Sequence, residues 1–477
     1  MCIRDRQGTL WAGSDDGLIH LTRNGGESWE NVTPEGMGQG IVNSIEVSPH
    51  HPATAYATLM RYKFMDLTPY VYKTTDYGAS WSLVTDGLDD PNGFVRVVRE
   101  DPIRPGLLYA GTETGLYISR DAGGYWQPFQ LNLPVVPIND LTFRNNDLVA
   151  ATAGRAFWIL DDLSALQQDY DRRQPISLIQ PRETVLFSGG YQEKPTPGLG
   201  QNPKSGVILD YYLGREADSA EIVLEILENN RVIRSYTNQP PKDFKTWPGG
   251  PSKPETLTAH TGLNRFVWDF RREAIPAVDG VFVMGDYSGS RVAPGNYTAR
   301  IRMDSTEATQ PIRIVPRPDI GATPADFREQ QEALSQIEEA LRDMHRAVNQ
   351  LRSVRSQLET YADLLSGDEK AEPLLKLGDS LLQRITDWEE ELIQPRQKTF
   401  QDVINYNNQL NAEFMYLKGY IDGAEPVLTQ GARERLRDLM TAWRSLARER
   451  DAIVNEGMEG YNRSYRELGL PALIMED

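Results

Sequence analysis

Apolar residues keep three rhythms along this chain, and each predicts a different kind of element. At the start, short apolar runs sit between Gly, Pro and Asp turns, and the runs recur. Residues 108–117 (LYAGTETGLY) echo 10–19 (LWAGSDDGLI), the stretch 101–105 leading into Tyr109-Ala110 echoes 48–52 leading into Tyr56-Ala57, and 149–158 gives a weaker echo. Such runs predict short strands. In the middle, strands are predicted at 207–213, 264–270, 297–303 and 311–315, with a hairpin of 221–227 and 232–236 about Glu228-Asn229-Asn230. From Thr323 the spacing changes to threes and fours through Leu334, Ile337, Leu341, Met344, Val348, Leu351, Leu358, Tyr361 and Leu365. That is the seam of a long helix packed lengthwise on another.

The first rhythm carries a motif. Residues 22–29 (TRNGGESW), 74–81 (TTDYGASW) and 119–126 (SRDAGGYW) each place a hydroxyl residue, then Asp or Asn, then Gly, and Trp at the eighth place, with the tryptophans 52 and 45 residues apart. A short Asp or Asn side chain accepts hydrogen bonds from its own turn, Gly supplies a positive φ, and Trp covers the turn with an apolar plate. Asn24, Gly26, Trp29, Asp76, Gly78, Trp81, Asp121, Gly123 and Trp126 are therefore read as structural, and the unit resembles the Asp-box of bacterial neuraminidase-type repeats. Repeats of this length predict four-stranded propeller blades, of which three to four are present.

Composition and breakers divide the chain. Only 8 of 39 Gly and 5 of 30 Pro follow position 321, so turn-rich β structure gives way there to helix. Thr323 supplies a cap, Pro324 the first helical position and Asp326 an acid in the first turn. A return helix is read along Leu374, Leu381, Ile385, Trp388 and Leu392, followed by helices over 405–421 and 430–456. The predicted fold class is multidomain β plus α. Residues 1–6 are set aside as a non-native leader, 7–170 form the last blades of a partial Asp-box β-propeller, 182–316 an Ig/fibronectin-like β-sandwich, and 323–477 a C-terminal antiparallel helical bundle.

Net charge is −18, and 322–477 alone holds 29 acidic and 19 basic residues, a field that repels nucleic acid and anionic membrane. No apolar run approaches a membrane span, and Cys2 is the only cysteine, so no disulfide or thiolate site is expected. A monomer is expected, because short loops bring the helices back onto one another.

The order of parts resembles the C-terminal half of large secreted bacterial proteins with sortilin-type propellers, often labelled glycosyl hydrolases. Residues 154–163 (GRAFWILDDL), 206–213 (GVILDYYL) and 408–417 carry that resemblance beside the Asp-boxes. It implies an extracytoplasmic, non-catalytic binding or scaffold protein whose propeller holds a peptide or glycan. The alternative is a glycoside hydrolase, sialidase- or xyloglucanase-like, with its active site largely on blades outside this sequence. Hydrolysis needs two carboxyls facing across a cleft, and the candidates are Asp15, Asp16, Glu113, Asp161 and Asp162. Residues 86–93 read as a turn rather than a calcium loop, since Leu88 stands where a first ligand belongs. The pair His50-His51 reads as a Pro-flanked loop and Arg155 as a structural donor, so neither a metal nor a cofactor is expected.

Overall fold

The computed structural model describes residues 2–6, 8–187, 200–215, 217, 220–239, 241–423 and 425–469, with 2–6 as backbone only. They fall into two compact units, Met1–Asp169 and Tyr170–Asp477.

The N-terminal unit is a series of antiparallel sheets, each a meander in sequence order. The first takes Cys2–Arg6, Thr9–Gly13, Ile19–Thr22 and Glu30–Asn31; the second Ile41–Val47, Ala55–Met60, Val71–Thr74 and Ser82–Leu83. The third takes Val95–Glu100, Leu108–Thr112, Leu116–Ser119 and Trp126–Pro128, and a three-stranded fourth takes Ile138–Arg144, Asp147–Thr152 and Phe157–Leu160. Cys2–Arg6 lies within the stretch set aside as a leader, yet it pairs with Thr9–Gly13 through Ile3 opposite Trp11. An exposed strand edge offers its free N–H and C=O groups to any extended neighbour. Apolar faces pack sheet on sheet: Ile19 and Leu21 with Val42, Ile45 and Leu59, then Val71 with Val95, Val98 and Leu108, then Leu116 and Ile118 with Ile138 and Leu141.

The C-terminal unit begins with two sheets around one core. Ile176–Leu178, Val207–Leu213 and Gly262–Trp268 form one. The other runs Thr184–Leu186, Thr306–Pro316, Gly295–Met303, Ile222–Glu228 and Arg231–Thr237, antiparallel except for its first pair. Alternation decides what is buried: Val207, Leu209, Tyr211, Leu224, Ile226, Trp268, Ala299 and Ile301 meet in the core. The hairpin turns on Asn229 and Asn230, with φ of 50° and 63°, the left-handed pair that suits a tight hairpin.

The helical part opens where the sequence marks it. The Thr323 side chain accepts from the Asp326 amide and Asp326 reaches back to Thr323, closing a capping box ahead of Pro324–Leu364. This helix has 41 residues, about 60 Å at ~1.5 Å per residue. Gly367, at φ 90°, turns the chain into Glu372–Leu392, and Leu410–Ile421 and Gln430–Ala452 follow. The last helix does not stop near 456: a π-turn over Ile453–Met458 carries it into Glu459–Glu467.

One buried stretch lies outside every strand and helix. Ile275, Val278, Val281, Val283 and Tyr287, from the stretch between two sheet strands, are buried in the helical core beside Leu341, Met344, Val348 and Trp388. This strap has no ladder for its carbonyls, so one face of the long helix supplies the donors. Arg342 bonds the Ala274 carbonyl at 2.7 Å, His345 that of Pro276 at 2.8 Å, Asn349 that of Ala277 at 2.9 Å and Arg352 that of Asp279 at 2.9 Å. Buried backbone groups need such partners. A second seam is ionic: Asp422 accepts from the Arg291 amide at 2.9 Å and from the Arg271 guanidinium at 3.1 Å. The strap thus ties the sheets to the helical core.

Candidate functional site

The three eight-residue motifs fold into the same clamp. In the second, Thr74 Oγ1 donates to Asp76 at 2.8 Å and accepts from the Gly78 amide at 2.9 Å, while Asp76 accepts from the Ser80 amide at 2.9 Å. In the first, Thr22 donates to Asn24 at 2.8 Å, the Gly26 amide to Thr22 at 3.0 Å and the Ser28 amide to Asn24 at 3.1 Å. In the third, Ser119, Asp121, the Gly123 amide and the Tyr125 amide repeat the bonds at 2.8, 3.0 and 2.9 Å. Tyr125 serves as well as Ser or Thr there because its amide makes the bond. The Ser80 hydroxyl and amide, with Thr74, hold the Asp76 carboxyl down at about 2.

The glycines and tryptophans of the later clamps look backward along the array. Trp81 Nε1 donates to the Val32 carbonyl at 2.8 Å and Trp126 Nε1 to that of Val84 at 2.9 Å. A Cβ on Gly78 would meet the Val32 side chain at 2.8 Å, and one on Gly123 would meet Val84 at 3.1 Å.

The five candidate acids fall on the first, third and fourth sheets. Asp15 and Asp16 are exposed on a turn of the first sheet, where Ser14 donates to Asp16. Glu113 occupies the equivalent turn of the third sheet and is bound by Arg96 through Nε at 2.7 Å and Nη2 at 2.5 Å. Asp161 and Asp162 follow the fourth sheet. Asp162 is buried at a φ of 55°, accepting from the Ser164 amide at 3.0 Å and hydroxyl at 2.6 Å, which starts the short helix Ser164–Gln167. His50 Nε2 donates to the Asp101 carbonyl at 2.8 Å, Asp90 accepts from Asn92 and Thr114, and the Arg155 carbonyl accepts from Trp158 at 3.0 Å. Among the described residues no group of three or more His, Cys, Asp or Glu is placed to hold a metal, and no helix is long and apolar enough to cross a membrane.

A charged row missed in the sequence crosses the first strands of three sheets. The Arg99 guanidinium donates to Asp140 at 2.7 Å, to Ser44 at 2.9 Å and to the Leu141 carbonyl at 2.9 Å, and lies 3.5 Å from Glu46. Glu46 accepts from the Glu100 amide at 3.2 Å. Burial pushes its carboxyl up to about 7 against the opposing pull of Arg99. A carboxyl titrating there exchanges a proton near neutrality. The signal was present in the chain: Glu46 and Arg99 stand 53 residues apart, the offset that relates 48–52 to 101–105, so opposite charges hold one register position in successive repeats.

Between the second and third clamps lies an open cavity of about 340 Å³, lined by Lys73, Thr75, Ser80, Trp81, Ser82 and Asp121. Lys73, in its lining, donates to the Ala122 carbonyl at 3.1 Å. The Thr75 hydroxyl has no partner among the described residues.

No family profile matches the chain, and no curated protein matches it. Solved structures show distant, low-identity similarity. YCF48 bound to D1 peptide aligns at 21% identity and TM-score 0.27, over 33% of this chain and 49% of that one. The GH74 enzyme of Niastella koreensis aligns at 12% identity and TM-score 0.29, over 65% and 53%. PorZ, a surface component of the type-IX secretion system of Porphyromonas gingivalis, aligns at 14% identity and TM-score 0.27, over 66% and 38%. The chain spans about half the length of the YCF48 structures it matches. At such scores the likeness carries no activity or ligand across.

Proposed function

We propose that the N-terminal unit is an arc of Asp-box β-propeller that binds a short peptide or a glycan without transforming it. The C-terminal unit, an Ig-like sandwich fused to a helical bundle, then serves as a rigid scaffold in an extracytoplasmic protein. The cavity between the second and third clamps carries the reading. Its volume of about 340 Å³ is at the small end of ligand sites. It joins an aromatic face, Trp81, to the hydroxyls of Thr75, Ser80 and Ser82. Apolar plate beside hydroxyl groups is the chemistry that holds a sugar ring or an extended backbone. The test is a glycan and peptide array with the purified chain, followed by titration with the best hit. Ser82→Tyr, at an exposed position, is expected to fill the cavity and abolish binding while leaving the melting curve in place. Unchanged affinity in that variant removes the cavity from consideration.

The row at Arg99 supports a second reading, glycoside hydrolysis with Glu46 as the proton donor and Asp140 as the second carboxyl, the guanidinium lying between them. Two carboxyls placed about one reacting bond are what such chemistry requires. Chromogenic glycosides separate the readings: turnover with a basic limb near pH 7 that vanishes in Glu46→Gln and in Asp140→Asn supports hydrolysis, and turnover surviving both substitutions excludes this pair.

A further inference from the structure

Two segments of the C-terminal unit, 241–261 and 269–294, lie outside every strand and helix, and each is longer than the ~12–15 residues beyond which a structureless connection calls for a functional reason. The second is the strap, and it makes a tight turn where it meets the first. The Val281 amide bonds the Val278 carbonyl at 3.3 Å, with Asp279 and Gly280 at the corners and Gly280 at φ 70°, the positive value a type II turn needs. Val278 and Val281 are 0 and 5% exposed in the helical core, and Arg352 holds the Asp279 carbonyl at 2.9 Å. The tip of this turn is therefore fixed from both flanks.

The first segment is tied to that turn. Trp247 Nε1 donates to the Val281 carbonyl at 2.7 Å, and the Val283 amide bonds the Gly249 carbonyl at 3.4 Å. Close approach demands glycine twice here: a Cβ on Gly249, which stands at φ 70°, would lie 2.5 Å from the Phe282 ring, and one on Gly250 would lie 2.5 Å from the Trp247 indole. The two segments line a cavity of about 550 Å³, formed by Lys245, Thr246, Trp247, Asp279 and Gly280, and that volume is well inside the range of small-molecule sites. Its charged groups are uncommitted. Lys245 and Asp279 are exposed and of opposite sign, and neither the ammonium nor the carboxylate has a partner among the described residues. The Arg352 guanidinium that holds the Asp279 carbonyl is itself taken by Glu389, at 2.8 and 2.6 Å.

We propose that this cavity binds a free amino acid with an apolar or aromatic side chain. The ammonium of the ligand meets the Asp279 carboxylate, its carboxylate meets the Lys245 ammonium, and its side chain lies against the Trp247 indole. Charge complementarity selects this class. A neutral sugar would cover both charges without pairing either, and an ion of one sign would leave one of them covered and unpaired, which costs free energy. A zwitterion answers both. The aromatic plate then favours an apolar side chain over none. None of these residues belongs to the N-terminal unit, so this site and the cavity at Trp81 succeed or fail separately.

Calorimetric titration of the full chain with L-phenylalanine, L-leucine and glycine tests it. Saturable binding at one site per chain is expected for the first two, with glycine the weakest. N-acetylphenylalanine, which lacks the ammonium, and phenylalaninamide, which lacks the carboxylate, are each expected to bind about tenfold more weakly than phenylalanine. Lys245→Met and Asp279→Asn, both at exposed positions, should leave the melting curve in place and weaken phenylalanine by a similar factor, each in its own way. Asp279→Asn should no longer distinguish phenylalanine from its N-acetyl form, and Lys245→Met should no longer distinguish it from its amide. Ser82→Tyr should change none of these affinities. Absence of saturable heat with both phenylalanine and leucine overturns the proposal. So does glucose binding as tightly as phenylalanine, or folded variants that keep both preferences.

Discussion

Trp81 and Val32 are joined across 49 residues by an indole-to-carbonyl hydrogen bond of 2.8 Å, and this bond ties two sheets together rather than belonging to either. Trp126 and Val84 repeat it at 2.9 Å across 42 residues. Trp81→Phe and Trp126→Phe should each lower stability by about 0.5–1.5 kcal/mol, the worth of one such bond, read as a fall in the urea midpoint. Trp29→Phe, with no carbonyl to lose, should leave the midpoint in place.

The clamp at Asp76 predicts an acid limb. Its folded pKa of about 2 lies below the ordinary 3.8, so its contribution is fully present above pH 4 and is lost as pH falls through 2. Asn24 makes the equivalent bonds in the first clamp without a charge. Asp76→Asn should therefore keep the clamp and remove its part of that limb, whereas Asp76→Ala should lower the melting temperature at neutral pH. Equal melting temperatures for the two variants at pH 7 would contradict this account.

Glu46 predicts the opposite slope. Its folded pKa of about 7 stands above the ordinary 4.5, so the folded state holds the proton longer than the unfolded chain. Stability is then greatest below pH 4.5 for this group and declines until pH passes 7. Glu46→Gln should flatten the decline and be the more stable protein at pH 8, by on the order of 1–3 kcal/mol. Denaturant melts at pH 5 and pH 8 read the difference directly.

His345 predicts a third window. The ring is fully buried against the strap, and burial holds its pKa down to about 4 from 6.5. A depressed base contributes stability above pH 6.5 that is lost as pH falls toward 4. Residues 170–477 should lose stability across that interval, and His345→Gln should lose less of it.

These sites differ in how far the sequence disclosed them. The clamps were legible because the side-chain bonds that close each turn lie within eight consecutive residues, and Thr323, Pro324 and Asp326 were legible for the same reason. The Arg99 row was not, because Ser44, Glu46, Arg99 and Asp140 meet only after three sheets stack in register, with β-bulges shifting the frame at Val42/Ser44 and again at Ile138/Asp140. The strap escaped notice because its apolar residues follow neither a strand nor a helix period. Its trace lay elsewhere, in Arg342, His345, Asn349 and Arg352, four donors stepping by three and four along a helix face that apolar contacts alone do not require. Of the candidate acids, Asp162 serves the amide of its own turn, a bond made within three residues.

The strap also settles what cutting the chain at 317–322 would release. A protease acting there severs the covalent path from sheets to helices but leaves Ile275, Val278, Val281 and Val283 seated among the helices. Two fragments should then travel as one particle through a sizing column and part only in denaturant. Expressed alone, 323–477 would present an empty slot with a row of unanswered donors along it, a helical fragment waiting for its missing thread.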